Sequence, residues 1–141
     1  MVRYPRAAAA ALRVKEASPI ALHHAVARGL RASLLSDVAA LVGATRDEAA
    51  AVRRSVLPDS TWKRRKGKTL SPVESDRTAR LARVTALALE TWHGNLAAVR
   101  EFLHAPHPEL DGERPLDALT TDVGARLVED VLIRLRHGLP V

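Results

Sequence analysis

The feature that most constrains the fold of this chain is the spacing of its aliphatic residues. They recur three and four positions apart, and proline or glycine interrupts them at short intervals. In one long segment Leu81, Val84, Leu87 and Ala88 fall on one helical face. Aromatic residues make up only 3% of the chain, so the residue types that favour strands are scarce. No sustained alternation of apolar and polar residues occurs. The sequence therefore predicts an all-α protein.

Proline, glycine and capping residues predict where the helices begin and end. Thr45 with Glu48, and Ser71 with Glu74, have the spacing of capping boxes, in which two side chains satisfy free backbone N–H groups. Asn95 caps a further short helix, and Leu116 begins a brief helical turn. The longer helices are predicted over about 20–29, 33–43, 45–56, 59–66, 71–93 and 121–137. In the last of these the residues expected to face inward are Val123, Leu127, Val128, Val131, Leu132 and Leu135.

Charge is distributed unequally along the chain. Residues 1–70 contain 14 Lys and Arg against 5 Asp and Glu, whereas residues 71–141 contain 8 against 11. The net charge of +6 thus combines a basic half, which suits nucleic acid, with an acidic half, which suits a protein partner. The alternative is two solvated faces without partners.

Three regions follow from this pattern. Residues 1–18 are predicted to be a flexible basic arm, because the alanine run at 7–11 is too short to be a stable helix alone. The alternative is that this run is helical and extends the first domain. Residues 19–70 form the basic domain. Residues 71–141 form the acidic helical domain, which begins with the longest helix.

The segment 45–67 has the layout of a helix-turn-helix, because a capped helix and a short cationic helix are separated by a break at Leu57–Pro58. Hydroxyls at the start of the second helix can hold a phosphate or a base edge, and the cations can neutralise phosphates or contact guanine. The predicted DNA-binding residues are Ser60, Thr61, Lys63, Arg64, Arg65, Lys66 and Lys68. Trp62 is interpreted as an apolar anchor. The alternative is an exposed basic helix end that the helix dipole favours.

Catalytic and metal-binding patterns are missing from the sequence. The chain has no cysteine, which excludes disulfides and thiolate chemistry. His23 and His24 are adjacent and point in different directions from a helix, and Pro106 separates His104 from His107. We therefore expect a protein that is not an enzyme, with no catalytic residue, no metal and no cofactor. No apolar run approaches the roughly 20 residues that span a bilayer, and a cytoplasmic location is expected.

Six motifs follow one another in the second half of the chain: LSPVESDR at 70–77, RLARV at 80–84, APHPEL at 105–110, GERPLDAL at 112–119, TDVGA at 121–125 and IRLRHG at 133–138. In this order they resemble the Xre/MbcA/ParS antitoxins of RES-type toxin–antitoxin pairs. The resemblance extends from about residue 20 to the C-terminus. It implies an Xre-like helix-turn-helix domain followed by a helical toxin-binding domain.

The resemblance also implies the partners. The first is a RES-domain toxin that degrades NAD. The second is operator DNA, through which the chain represses its own operon. The third is a second copy of the chain, in a homodimer within a type II toxin–antitoxin complex. The dimer seam is placed either at the long helix or around Phe102. The extreme C-terminus is expected to enter the toxin's active-site entrance through Arg134, Arg136, His137, Gly138, Leu139, Pro140 and Val141. The alternative is a free-standing helix-turn-helix regulator without a toxin.

One residue departs from the pattern of the family. Its members commonly have glycine in the helix-turn-helix turn, just before the position of Leu57, where this chain has Val56. A β-branched residue disfavours a positive φ. The sequence therefore predicts an altered turn or a displaced second helix.

Overall fold

Helices arranged around one long central helix make up the fold, which a computed structural model describes for residues 4–141. The helices are α1 Ala8–Glu16, α2 Pro19–Arg28, α3 Ala32–Val42, α4 Arg46–Val56, α5 Asp59–Arg65, α6 Pro72–Thr91, α7 Leu96–His104, α8 Pro115–Ala118 and α9 Asp122–Arg136. Pro108–Leu110 forms a 3₁₀ turn. Within these residues extended pairing is confined to one antiparallel bridge between Arg31 and Thr69. The predicted all-α class is confirmed.

Side-chain caps begin the helices where the sequence predicts them. The Ser71 hydroxyl accepts from the Glu74 N–H at 3.2 Å, and the Glu74 carboxylate accepts from the Ser71 N–H at 2.8 Å, so the capping box of α6 is complete. At α4 the Thr45 hydroxyl accepts from the Glu48 N–H at 3.1 Å. The Glu48 carboxylate, however, accepts from the Ala44 N–H, one residue earlier than in a capping box.

The central helix α6 joins both halves of the chain. It contacts α1, α2, α3, α4, α7 and α9. Its buried side chains belong to one hydrophobic cluster that also contains Leu35 of α3, Leu103 of α7 and Leu132 of α9. Because neighbouring helices enclose α6, the packing of each half depends on the other. In the part of the chain described, no helix is both long and apolar enough to cross a membrane.

The N-terminal region differs from the predicted flexible arm. Residues 1–3 lie outside the described residues. From Ala8 to Glu16 the chain is helical, with Ala8, Ala11 and Val14 buried against the core. Lys15 adds an ion pair with Glu90 of α6 at 2.8 Å. Contact with α6 and α3 supplies the stability that a short alanine-rich helix lacks in isolation.

The outer side of α9 also differs from the prediction. Val128, Val131 and Leu132 are buried as expected, but Val123 and Leu127 are 69% and 50% exposed. Since α6 and α8 cover only part of the helix, these two side chains lie on its uncovered flank. The predicted inward orientation of Val123 and Leu127 is wrong.

Candidate functional site

Arg53 holds the turn between α4 and α5. Its guanidinium donates to the Leu57 carbonyl at 2.7 Å, pairs with Asp59, and lies 5.5 Å from the centroid of the Trp62 ring. The hydrogen bond from Arg53 lowers the pKa of Asp59 below its usual value. Only 11% of the Arg53 side chain is exposed. Arg53 thus fixes α5 relative to α4, with Trp62 as the anchor that the sequence predicts.

Val56 causes no distortion in this turn. It is the last residue of α4, and Leu57 follows with an extended φ of −145°. Within residues 4–141 the non-glycine residues with positive φ are His93 and Asp111. No position of this turn requires left-handed backbone, so a β-branched residue fits here. That the turn or the second helix differs from that of the relatives with glycine stays a prediction.

A basic patch lines α5 and the residues just after it. Its exposed members are Lys63, Arg64, Lys66 and Lys68. None of these four pairs with a carboxylate in the described part of the chain. Ser60 and Thr61 lie in the first turn of the same helix, where Ser60 is exposed and Thr61 is half-buried. The structure therefore places these six predicted DNA-binding residues on one short segment.

Arg65 differs from its cationic neighbours. Its Nε lies 2.9 Å from Glu74 Oε1, and Glu74 is only 13% exposed. Burial alone would raise the pKa of Glu74, but hydrogen bonds from the Ser71 backbone and from Arg65 hold it below its ordinary value. Arg65 consequently connects the end of α5 to the start of α6. Its side chain already has a partner, unlike those of the basic patch.

A groove of about 380 Å³ lies between the 3₁₀ turn, α8 and α9. Its lining combines the exposed apolar residues Val123 and Leu127 with three exposed acidic residues, Glu109, Asp111 and Glu113. We refer to this surface as the acidic groove. Such a mixture suits a protein segment that carries both apolar and basic side chains.

The C-terminal tail continues from the acidic groove. Gly138 adopts a φ of +69°, and the Leu139 N–H donates to the Arg134 carbonyl at 2.8 Å, which ends α9 in a Schellman turn. The Arg134 side chain then donates to the Pro140 carbonyl at 3.5 Å and lies 3.3 Å from Glu109. Arg134 thereby links the tail to the groove, and the two form one surface.

The seven predicted toxin-binding residues divide into two groups. Arg134 also pairs with Asp130, and Arg136 pairs with Glu90 of α6 at 3.3 Å, so both arginines hold the end of α9 in place. The other five, His137, Gly138, Leu139, Pro140 and Val141, are all exposed, as is Arg136. Leu139 is 53% exposed and Val141 is 42% exposed. These two residues are the large apolar side chains exposed in the tail.

Sequence reasoning missed Arg53 and the outward position of Val123 and Leu127. The one sequence signal for the role of Arg53 is its spacing, since it lies four residues before Leu57 and six before Asp59. No local signal indicates that Val123 and Leu127 face outward, because both residues fit the apolar stripe of α9.

Two histidines that follow α6, His104 and His107, make hydrogen-bond contacts within the chain. His104 Nε2 lies 3.0 Å from the Val42 carbonyl oxygen, and His107 Nδ1 accepts from the Glu109 N–H at 3.1 Å. Across residues 4–141 no three His, Asp or Glu side chains cluster as metal ligands.

Comparisons with known proteins match both halves of the chain. Residues 21–83 match the family described as the antitoxin Xre-like helix-turn-helix domain, and residues 87–138 match the antitoxin Xre/MbcA/ParS C-terminal toxin-binding domain. Neither is an enzyme family. The chain is also similar to Antitoxin Xre of Pseudomonas putida, with 33% identity over 88 residues that cover 61% of this chain and 55% of the relative. The chain thus spans about half the length of that curated relative.

Proposed function

The chain belongs to the Xre-type antitoxin family, and we propose that it neutralises a toxin through its C-terminal surface and binds DNA through α5. The distribution of exposed apolar side chains supports the proposal that the C-terminal surface binds a toxin. Seven large apolar residues are exposed in residues 4–141, and five of them are Val123, Leu127, Ile133, Leu139 and Val141. Val123 and Leu127 line the acidic groove together, and neighbouring exposed apolar residues of this kind are typical of a protein-binding surface.

The proposed toxin is a RES-domain protein that degrades NAD, as the resemblance of residues 70–138 implies. The tail, held by Arg134, would enter the active-site entrance and exclude NAD. The acidic residues Glu109, Asp111 and Glu113 would pair with cations that the toxin uses for the phosphates of NAD. Inhibition would then be stoichiometric, because the chain itself performs no chemistry.

The proposed DNA target is the operator of the chain's own operon, within a type II system of the cytoplasm. Repression through palindromic operators requires a homodimer. Because neighbouring helices enclose α6, the favoured seam is the α7 surface, where the half-buried rings of Trp92 and Phe102 lie 5.2 Å apart and those of Phe102 and His107 lie 6.0 Å apart. A monomeric mass in light scattering at micromolar concentration would contradict the dimer.

Toxin neutralisation is tested by titrating the chain into its purified RES-domain partner and following NAD consumption. We expect consumption to stop at a fixed molar ratio. A Lys63→Gln/Arg64→Gln variant is the matched control, because it alters the basic patch and should inhibit equally. Unchanged NAD consumption at excess wild-type chain would contradict the proposal.

A free-standing regulator is the second candidate function. The unpaired basic patch favours it, because DNA binding through Lys63, Arg64, Lys66 and Lys68 needs no toxin. The neighbouring gene separates the two functions. A RES-fold gene beside the gene of this chain supports the antitoxin, and the failure of any such protein to bind the chain supports the regulator.

A further inference from the structure

Two exposed arginines lie outside the helix-turn-helix, at the corner between α2 and α3. Arg28 is the last residue of α2, and Arg31 directly precedes α3. Neither forms an ion pair with any carboxylate of the described chain. Sequence reasoning assigned them no role, because they stand about 30 residues before α5.

The backbone fixes this corner beside the segment that leaves α5. Arg31 lies opposite Thr69 in the antiparallel bridge, and the Ala32 N–H donates to the Lys68 carbonyl at 2.9 Å. In a bridge of this pattern the facing Cα atoms are only about 4.5 Å apart. The backbone of Arg31 therefore lies beside Thr69, the residue that follows Lys68 at the end of the basic patch.

Gly29 allows the close approach of the two segments. Its φ is +96°, and a Cβ at this position would lie 2.4 Å from the Leu70 carbonyl oxygen. The Leu70 N–H in turn donates to the Leu30 carbonyl at 2.7 Å. The distance between the corner and the end of α5 is thus set by rigid backbone contacts.

The positive charge of Arg31 does not stabilise α3. The residue provides no side-chain cap, and the first turn of α3 contains no acidic residue to pair with it. A positive charge at the start of a helix is opposed by the helix dipole. The charge of Arg31 is therefore not used by the fold and is available to an anionic partner.

We propose that Arg31 binds a phosphate of the DNA backbone next to those bound by the basic patch. This inference rests on the DNA-binding part of the proposed function. Duplex DNA presents phosphates in a continuous row, so an exposed arginine whose backbone is fixed beside the end of α5 can reach the same DNA backbone. Such a contact sets the register of α5 on the duplex without reading its sequence.

The test compares full-length wild type with Arg31→Gln in fluorescence anisotropy, using the operator duplex and an unrelated duplex of equal length between 50 and 200 mM salt. One phosphate contact contributes about 0.9 to the log–log salt slope. We expect the slope of Arg31→Gln to be smaller by about 0.9 on both duplexes, which makes the loss of affinity across this range about 3.5-fold smaller. Arg31→Lys should keep the wild-type slope.

Arg126→Gln, an exposed arginine of α9, is the matched control and should leave the slope unchanged. If Lys63→Gln lowers the slope while Arg31→Gln does not, the assignment of Arg31 is wrong and DNA binding by α5 stands. A slope change on the operator alone would indicate base reading and would also overturn it. Wild type that binds neither duplex would overturn both this inference and the DNA-binding function.

Discussion

Arginine has different partners in the two halves of the molecule. Six of the eight arginines in residues 71–141 form ion pairs within the chain, namely Arg80, Arg83, Arg114, Arg126, Arg134 and Arg136. A seventh, Arg100, donates to the Leu41 carbonyl at 2.8 Å. The basic patch on α5 has no carboxylate partner within residues 4–141. In the second half, Arg83, Arg134 and Arg136 therefore join separate elements, whereas the four cations of the basic patch remain without a carboxylate partner.

The net charge of a region therefore does not locate its binding surface. Arg53 and Arg65 belong to the basic half, yet both are engaged in internal contacts. In the acidic half the candidate surface is marked by exposed Val123 and Leu127 as much as by carboxylates. A binding surface is located instead by asking of each residue whether it is buried and whether its charge already has a partner within the chain.

The largest expected effect tests the apolar part of the C-terminal surface. Val123→Asp/Leu127→Asp should weaken toxin binding by about 3 kcal/mol, or about a hundredfold, because apolar residues at an interface centre carry most of its affinity. Isothermal titration against the toxin measures this. Ile20→Asp, an equally exposed apolar residue on α2, is the control and should bind normally. Equal losses in both variants would contradict the assignment of the groove.

The next effect tests the internally engaged arginine of the basic half. Arg53→Met should lower the free energy of unfolding by about 1–2 kcal/mol, because the Leu57 carbonyl and the Trp62 ring lose their partner. DNA affinity should fall with it, while toxin inhibition persists. Urea unfolding and anisotropy measure the two quantities. Arg54→Met, whose side chain is 48% exposed, is the control. DNA affinity unchanged in Arg53→Met would show that the turn does not position α5.

A smaller effect tests the link between α5 and α6. Glu74→Gln should cost about 1 kcal/mol at pH 7, since the ion pair with Arg65 and part of the cap are lost. Folding lowers the pKa of Glu74, so its contribution is present above the unfolded value of about 4.5 and is lost as pH falls through the lower folded value. The stability difference between wild type and Glu74→Gln should therefore shrink toward pH 3. A difference independent of pH would contradict this.

The smallest effect concerns an exposed arginine of the second half. Arg126 is 77% exposed and pairs with Asp122 four residues earlier. Arg126→Gln should change the free energy of unfolding by less than about 0.5 kcal/mol, because solvent screens such pairs. Thermal unfolding measures it. A larger loss would mean that exposed pairs on α9 contribute more than their geometry indicates.

The sequence predicts those parts of the fold that depend on neighbouring residues. Ser71, Asn95 and Thr121 each cap the helix expected of them, since the hydrogen bond joins residues three positions apart. The break at Leu57–Pro58 likewise separates α4 from α5 where predicted. The two-part antitoxin architecture followed from motifs in their order, and the family comparisons confirm it.

The remaining features depend on contacts between distant segments. Helix α1 is stable because α6 packs on it. A short alanine-rich helix is weak in isolation, so the sequence alone favours a flexible arm there. The exposure of Val123 is decided by where α6 and α8 end. The pairing of Arg65 with Glu74, and of Arg134 with Glu109, joins separate elements that no local pattern relates.

Deletion of Leu139–Val141 tests most directly the central claim, that toxin and DNA are bound at separate surfaces. The deletion removes the hydrogen bond that Leu139 contributes to the Schellman turn, but the ion pairs of Arg134 with Asp130 and of Arg136 with Glu90 involve no deleted residue. NAD consumption by the RES-domain toxin and duplex binding are measured on the same preparation. We expect inhibition to be lost while DNA affinity and its salt slope stay at wild-type values. Inhibition equal to that of the full chain, or loss of both activities together, would contradict it.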